Sequence, residues 1–101
     1  MKEVKLNLGC FKRKIPDFIN IDIREDIRPD LIDDVFALEK IKNNSVDLIY
    51  ACHVLEHADY AESEKALKRW HQVLKKGGVL RLAVPDMEAH FAHYFYHKDL
   101  R

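Results

Sequence analysis

The chain has 101 residues, 48% of them hydrophobic and 34% charged, which is the composition of one ordinary globular domain with a single core. Its 17 basic and 17 acidic side chains cancel, which argues against a generic electrostatic grip on nucleic acid or anionic lipid. No apolar run approaches the roughly 18 residues of a membrane span, and MKEVKLNLGC lacks the apolar stretch of a secretion signal, so neither is expected.

No repeat, low-complexity tract or linker divides residues 1–101, so one domain is expected. Val4–Leu8 is a short apolar run closed by Gly9, as a buried strand would be. Phe18–Ile23, FINIDI, alternates and is β-branched, giving a second strand. Only Gly9–Asp17 joins the two. A parallel crossover usually takes a dozen or more residues, so any helix there is a turn or two at most. Asp30–Phe36 is a weaker third strand, crowded by Asp30, Asp33 and Asp34, and Ser45–Ala51 is a fourth.

HVLEH at 53–57 then matches the inverted zinc signature H-x-x-E-H. A site of that kind needs a long helix and a third ligand, yet Asp59 opens a new helix two residues later, so no metal is expected on His53, Glu56 and His57. Asp59 and Glu62 form a capping box, and Ala66, Leu67, Trp70, Val73 and Leu74 make one apolar stripe. Lys75 and Lys76 suit the negative end of that helix, and Gly77–Gly78 is expected to end it. Gly78–Val84 reads as a fifth strand stopped by Pro85. Asp86 is expected to cap a last helix with Met87, Phe91, Tyr94 and Phe95 on one side. His90, His93 and His97 would share another face, open to solvent.

Strands interleaved with helices and short links imply an α/β, Rossmann-like, mostly parallel sheet of about five strands. Open sheets of this class place their sites at the carboxyl ends of the strands. Those ends carry Gly9–Cys10, Asp22, Asp34, Cys52–His53 and Pro85–Asp86.

KLNLGC, INID, SVDLIYACHVLEH and VLKKGGVLRLAVPD occur in that order across residues 4–88. Together they resemble a class I S-adenosylmethionine-dependent methyltransferase, in the compact form whose first motif passes through a short loop into an I-N-[IV]-D strand. The resemblance implies strand order 3-2-1-4-5 and S-adenosyl-L-methionine as cofactor. It assigns Asn7, Gly9 and Cys10 to the methionine part, Asp22 to the ribose hydroxyls and Asp34 to the flank of the adenine. Ala51, Cys52 and His53 fall along the sulfonium.

The residues themselves agree. Gly9 ends a strand where backbone must pass close to a ligand, and a carboxylate at Asp22 can accept from both ribose hydroxyls. A plain turn glycine and a surface aspartate would leave the same pattern, and Asp33 beside Asp34 leaves the register open. The cluster Lys12-Arg13-Lys14 beside the turn either attracts the cofactor's carboxylate or is an exposed loop.

The implied activity is methyl transfer to an oxygen or nitrogen of a small-molecule or saccharide-type acceptor, with His53 as the first candidate for general base and Asp86 the second. Cys10 and Cys52 are too few for a disulfide scaffold, so a reducing cytoplasm is the expected location. Besides the short Gly9–Asp17 link, two departures from the family stand out. Phe11 replaces the second glycine of L-G-C-G, and the chain stops before the family's last two strands, so the domain is expected to be incomplete at its C-terminus. The fifth strand would then be an open edge, and a homodimer covering it is expected. Two alternatives are a non-catalytic cofactor-binding or assembly subunit and, more remotely, a zinc-binding protein.

Overall fold

Short apolar and β-branched runs build one sheet from β1 (Lys5–Leu8), β2 (Ile19–Asp22), β3 (Leu31–Ile32), β4 (Val46–Cys52), β5 (Leu74–Pro85) and β6 (Phe91–His97). The computed structural model describes residues 3–52, 54, 59–85 and 91–97. The strands lie in the order β3-β2-β1-β4-β5-β6. The first five are parallel in the expected 3-2-1-4-5 arrangement, and β6 runs antiparallel to β5.

Helix α1 (Tyr60–Val73) links β4 to β5 and starts as its sequence implies. The Asp59 side chain accepts from the Glu62 N–H at 2.8 Å while Glu62 reaches back to the Asp59 N–H. Alternation along the strands turns Leu6, Leu8, Ile49, Ala51 and Leu80 toward one core with Ala66, Trp70 and Val73 of the helix. Trp70 is fully buried, and its indole N–H donates to the Val35 carbonyl at 2.8 Å, so that donor is not stranded in the core.

The segment from β3 to β4 has no regular structure, so its polar backbone must be satisfied by side chains. Two residues do this. The Asp33 carboxylate accepts from the N–H groups of Asp34, Glu39 and Lys40, and the Arg69 guanidinium donates to the carbonyls of Ala37, Leu38 and Ile41.

Several expectations are corrected. The third strand is only Leu31–Ile32, because the Asp33 carboxylate engages the backbone of the following loop. Helix α1 ends at Val73 rather than at the glycines. Leu74 already pairs with Val46, and the next match is Val79 with Leu48, so Lys75–Gly78 are extruded from β5 as a bulge. Gly77 takes φ 83° there, and a Cβ on Gly78 would stand 2.8 Å from the Lys75 carbonyl oxygen. Leu67, expected on the apolar stripe, is 40% exposed. The segment with Phe91, Tyr94 and Phe95 is a strand and not a helix, so His93 and His97 do not share a helical face. Its pairing from Val79↔His97 to Pro85↔Phe91 occupies the edge of β5, which removes the basis for expecting a homodimer there. Asp86, Met87 and His90 lie outside the described residues.

On the other face of the sheet the link between β1 and β2 brings Ile15 and Phe18 beside Leu48 and Tyr50. Lys5 Nζ sits 4.9 Å from the Phe18 ring centre, and the Arg81 guanidinium 5.6 Å from that of Tyr50. Ile15, Phe18, Leu48, Tyr50 and Arg81 border a hollow of about 350 Å³ on this side.

Arg69 provides a test of the β3–β4 segment. Arg69→Lys keeps the charge but cannot span three carbonyls with a planar fork. It is expected to lower unfolding free energy by about 1–3 kcal/mol in urea titration, the cost of leaving part-buried carbonyls without donors.

Candidate functional site

The carboxyl ends of β1, β2 and β4 meet at one crevice. Gly9 leaves β1 with φ 63°, a conformation glycine adopts without penalty, and a Cβ there would press on Val54 Cγ2 at 3.1 Å. The turn is fastened to β2 by its own N–H groups. Those of Gly9 and Cys10 donate to the Ile21 carbonyl at 2.9 and 3.3 Å, and that of Phe11 donates to Asp22 Oδ2 at 3.0 Å. The second Asp22 oxygen accepts from the Arg24 N–H at 2.9 Å. Asp22 is thus held rigidly, 8% exposed, and each of its oxygens has accepted only one hydrogen bond from these backbone groups.

Below the turn, paired residues Asn7 and Asn20 form a buried carboxamide bridge between β1 and β2. Asn7 Nδ2 donates to Asn20 Oδ1 at 2.9 Å and to the Arg13 carbonyl at 2.9 Å. Asn20 Oδ1 also accepts from the Ile15 N–H at 2.8 Å, and its Nδ2 donates to Asp30 Oδ2 at 2.7 Å. Both protons of Asn7 Nδ2 are therefore spent. Its Oδ1, on a side chain only 3% exposed, receives no donor among the described residues.

Asn7 lines a cavity of about 170 Å³ together with Gly9, Cys10, Arg13, Tyr50 and Cys52. Burial, then the Asp22 carboxylate, raises the Cys10 thiol above its ordinary range, which keeps it protonated. The Tyr50 hydroxyl is raised chiefly by its hydrogen bond with Cys52. Both cysteines are free thiols.

Of the residues the sequence pointed to, Asn7, Gly9, Cys10 and Cys52 line this one cavity, and Asp22 stands beside it through Cys10 and Phe11. Ala51 is fully buried in the core beneath α1, so its side chain faces away from the crevice. Asp34 is exposed after β3, its carboxylate accepting from the Phe36 N–H at 2.9 Å, whereas neighbouring Asp33 is buried and committed to the loop. Phe11 keeps the glycine-like conformation, φ 46°, with its ring 44% exposed between Lys12 and Arg24 rather than in the cavity. His53, Glu56, His57 and Asp86 lie outside the described residues. No cluster that could hold a metal occurs among the described residues. Sequence reasoning passed over Asn20, Asp30 and Tyr50. The signal available for Asn20 was a carboxamide inside a β-branched run.

An acceptor lacking a donor, a bare glycine turn and a fixed carboxylate are the groups a nucleoside carrying an amino-acid tail would need. The cavity itself is smaller than the roughly 300 Å³ at which ligand pockets begin, so it fits one end of such a molecule.

Comparison with known proteins gives the chain a family and its fold a set of neighbours. The pattern of the family described as "Methyltransferase domain" matches residues 13–82, well over half of the chain, although it begins after the Gly9 turn. Among solved structures, a SAM-dependent methyltransferase from Archaeoglobus fulgidus superposes with TM-score 0.70 at 17% identity, over 84% of this chain and 46% of that one. An S-adenosylmethionine-dependent methyltransferase from Clostridium acetobutylicum gives 0.69 at 21% identity, over 85% and 44%. The Haloferax volcanii complex between the Trm112 methyltransferase activator and a methyltransferase gives 0.65 at 19% identity, over 82% and 45%. No curated protein sequence matches the chain. The chain spans about half the length of these structural neighbours. It belongs to the methyltransferase-domain family, and its fold is that of the class I enzymes whose cofactor is S-adenosylmethionine.

The bridge beneath the turn makes the domain acid-sensitive. Hydrogen bonds from the Asn20 backbone and side chain, then nearby Lys14, hold the Asp30 carboxyl below its ordinary range. Because the folded value is depressed, its contribution is complete above the unfolded value of about 4 and is lost as pH falls through the folded one. Asp30→Asn is expected to reduce stability at pH 7 and to flatten its fall below pH ~4, read from urea midpoints across that range.

Proposed function

We propose that this chain binds S-adenosyl-L-methionine in the crevice between Gly9 and Asp22 and serves methyl transfer to an oxygen or nitrogen of a small-molecule or saccharide-type acceptor. The observation that carries the reading is the Gly9 turn fastened to the immobilised Asp22 carboxylate, beside a small cavity lined by Asn7, whose Oδ1 has no donor among the described residues. The cofactor supplies a methyl group made electrophilic by its sulfonium.

The protein's part is chiefly alignment and exclusion of water. Gly9 lets the backbone approach the ligand, and Asp22 accepts the ribose hydroxyls through lone pairs its backbone partners leave available. Asp34, exposed after β3, borders the adenine. A hydroxyl or ammonium acceptor must lose a proton, and His53 is assigned as the base with Asp86 as the second candidate. A reducing cytoplasm suits the two free thiols. Among the described residues no helix is long and apolar enough to cross a membrane.

A second reading has its own support. A chain spanning about half of its structural neighbours, one of which was solved with an activator protein, fits a cofactor-binding or assembly subunit without turnover.

Calorimetry with S-adenosylhomocysteine tests the shared premise. Binding with Kd in the micromolar range, about −7 to −8 kcal/mol, is expected, and Asp22→Ala should weaken it at least ~10-fold. A protein that binds nothing contradicts both readings. Turnover on an acceptor panel, reduced ~10²–10⁴-fold by His53→Ala, supports the enzyme, whereas binding without turnover supports the subunit.

A further inference from the structure

The two backbone N–H groups that grip Asp22 come from different segments. That of Phe11, in the turn after β1, donates to Oδ2 at 3.0 Å, and that of Arg24, in the loop after β2, donates to Oδ1 at 2.9 Å. The side chains of the same two residues meet each other. The Arg24 guanidinium lies over the Phe11 ring, 4.9 Å from its centre, and Lys12 Nζ lies over that ring at 5.6 Å. Asp26 fixes the guanidinium, accepting from Nε at 3.2 Å and from Nη2 at 2.7 Å. Carboxylate, turn, ring, guanidinium and loop thus form a closed circuit around Asp22.

Phe11 completes this circuit from an unfavourable backbone conformation. Its φ of 46° is in the left-handed region, where a bulky residue is an outlier, and the family this chain resembles has glycine at that position. The ring is 44% exposed, so burial offsets little of the cost. Conformations of this kind persist where surrounding contacts hold them, and they gather at ligand sites. The contacts holding this one are the Asp22 carboxylate on its N–H and the cations over its ring. With glycine there, the turn and the loop after β2 would lose a direct link that does not pass through the carboxylate.

We propose that Phe11 is a positioning residue: its ring, stacked with Arg24, clasps the turn to the loop after β2 and so holds the Asp22 carboxylate in the orientation that receives the ribose hydroxyls. This rests on the reading of the crevice as an S-adenosylmethionine site and gives a part in it to the side chain that replaces glycine. Phe11 acts through Asp22 rather than on the ligand.

Calorimetry with S-adenosylhomocysteine tests the clasp on a set of variants, with thermal melting to confirm that each is folded. Phe11→Leu removes the aromatic face but keeps an apolar side chain at a φ that Leu38 already adopts in this chain, 44°. Arg24→Gln removes the other half of the stack from an exposed side chain. Each is expected to weaken Kd ~3- to 10-fold, whereas Phe11→Tyr, which keeps the ring, stays within ~2-fold of the wild-type chain. In an Asp22→Asn background Phe11→Leu is expected to cause no further loss, a coupling that a merely structural residue would not show. Unchanged affinity in both Phe11→Leu and Arg24→Gln overturns the clasp and leaves the cofactor reading intact. Equal losses in Phe11→Tyr and Phe11→Leu, or a loss that persists beside Asp22→Asn, likewise overturn it, since the residue would then act by shape or on the ligand directly. A wild-type chain that binds nothing overturns the cofactor reading and this inference with it.

Discussion

Between β1 and β2 the chain has only Gly9–Phe18 in which to reverse direction and return parallel, a distance usually spanned by a helix. A buried carboxamide takes the helix's place. Asn20 accepts from Asn7 Nδ2 and the Ile15 N–H and donates to the Ile15, Phe18 and Asp30 oxygens, so one side chain binds the neighbouring strand, the loop and the approach to β3. Buried polar groups are costly unless paired, and the several partners of Asn20 make its position rigid. The turn above it inherits that rigidity, since its N–H groups reach only the backbone and carboxylate of β2. The shape of the crevice thus depends on a side chain that no ligand need touch.

The economy of the loop also explains the sheet's asymmetry. One face packs under α1 around Trp70, while among the described residues the other carries cation–aromatic contacts of Lys5 with Phe18 and of Arg81 with Tyr50. Parallel sheets are ordinarily covered on both faces. A groove of about 650 Å³ between α1 and β5 borders Leu67, Leu74, Leu80 and Leu82 and shares no residue with the cavity at the turn. It lies on the helix side of the sheet, apart from the turn, and plays no part in the chemistry argued here.

Much of this was legible from local pattern. Apolar runs ending in Gly9, Asp22 and Cys52 mark the strand ends because burial and turn chemistry are both short-range, and the capping box at Asp59 and Glu62 is readable for the same reason. What escaped depends on partners distant in sequence. Lys-Lys-Gly-Gly has the composition of a helix end, but pairing of Leu74 with Val46 makes it a bulge. Spacing in Phe91–His97 allows a helical stripe, while its aromatic content suits a strand, and the open edge of β5 decides between them. Neither Asp33 nor Asp34 reveals in sequence which one turns inward, because the answer lies in the amides of Glu39 and Lys40.

The account's central claim is a location, so the most direct measurement maps one. Amide chemical shifts of the ¹⁵N-labelled chain, followed during titration with S-adenosylhomocysteine, should move at Asn7–Arg13, Asp22 and Cys52 while the amides of Glu64, Leu67 and Leu80 stay in place. Shifts confined to the α1–β5 groove, or spread evenly over the sheet, would contradict the account.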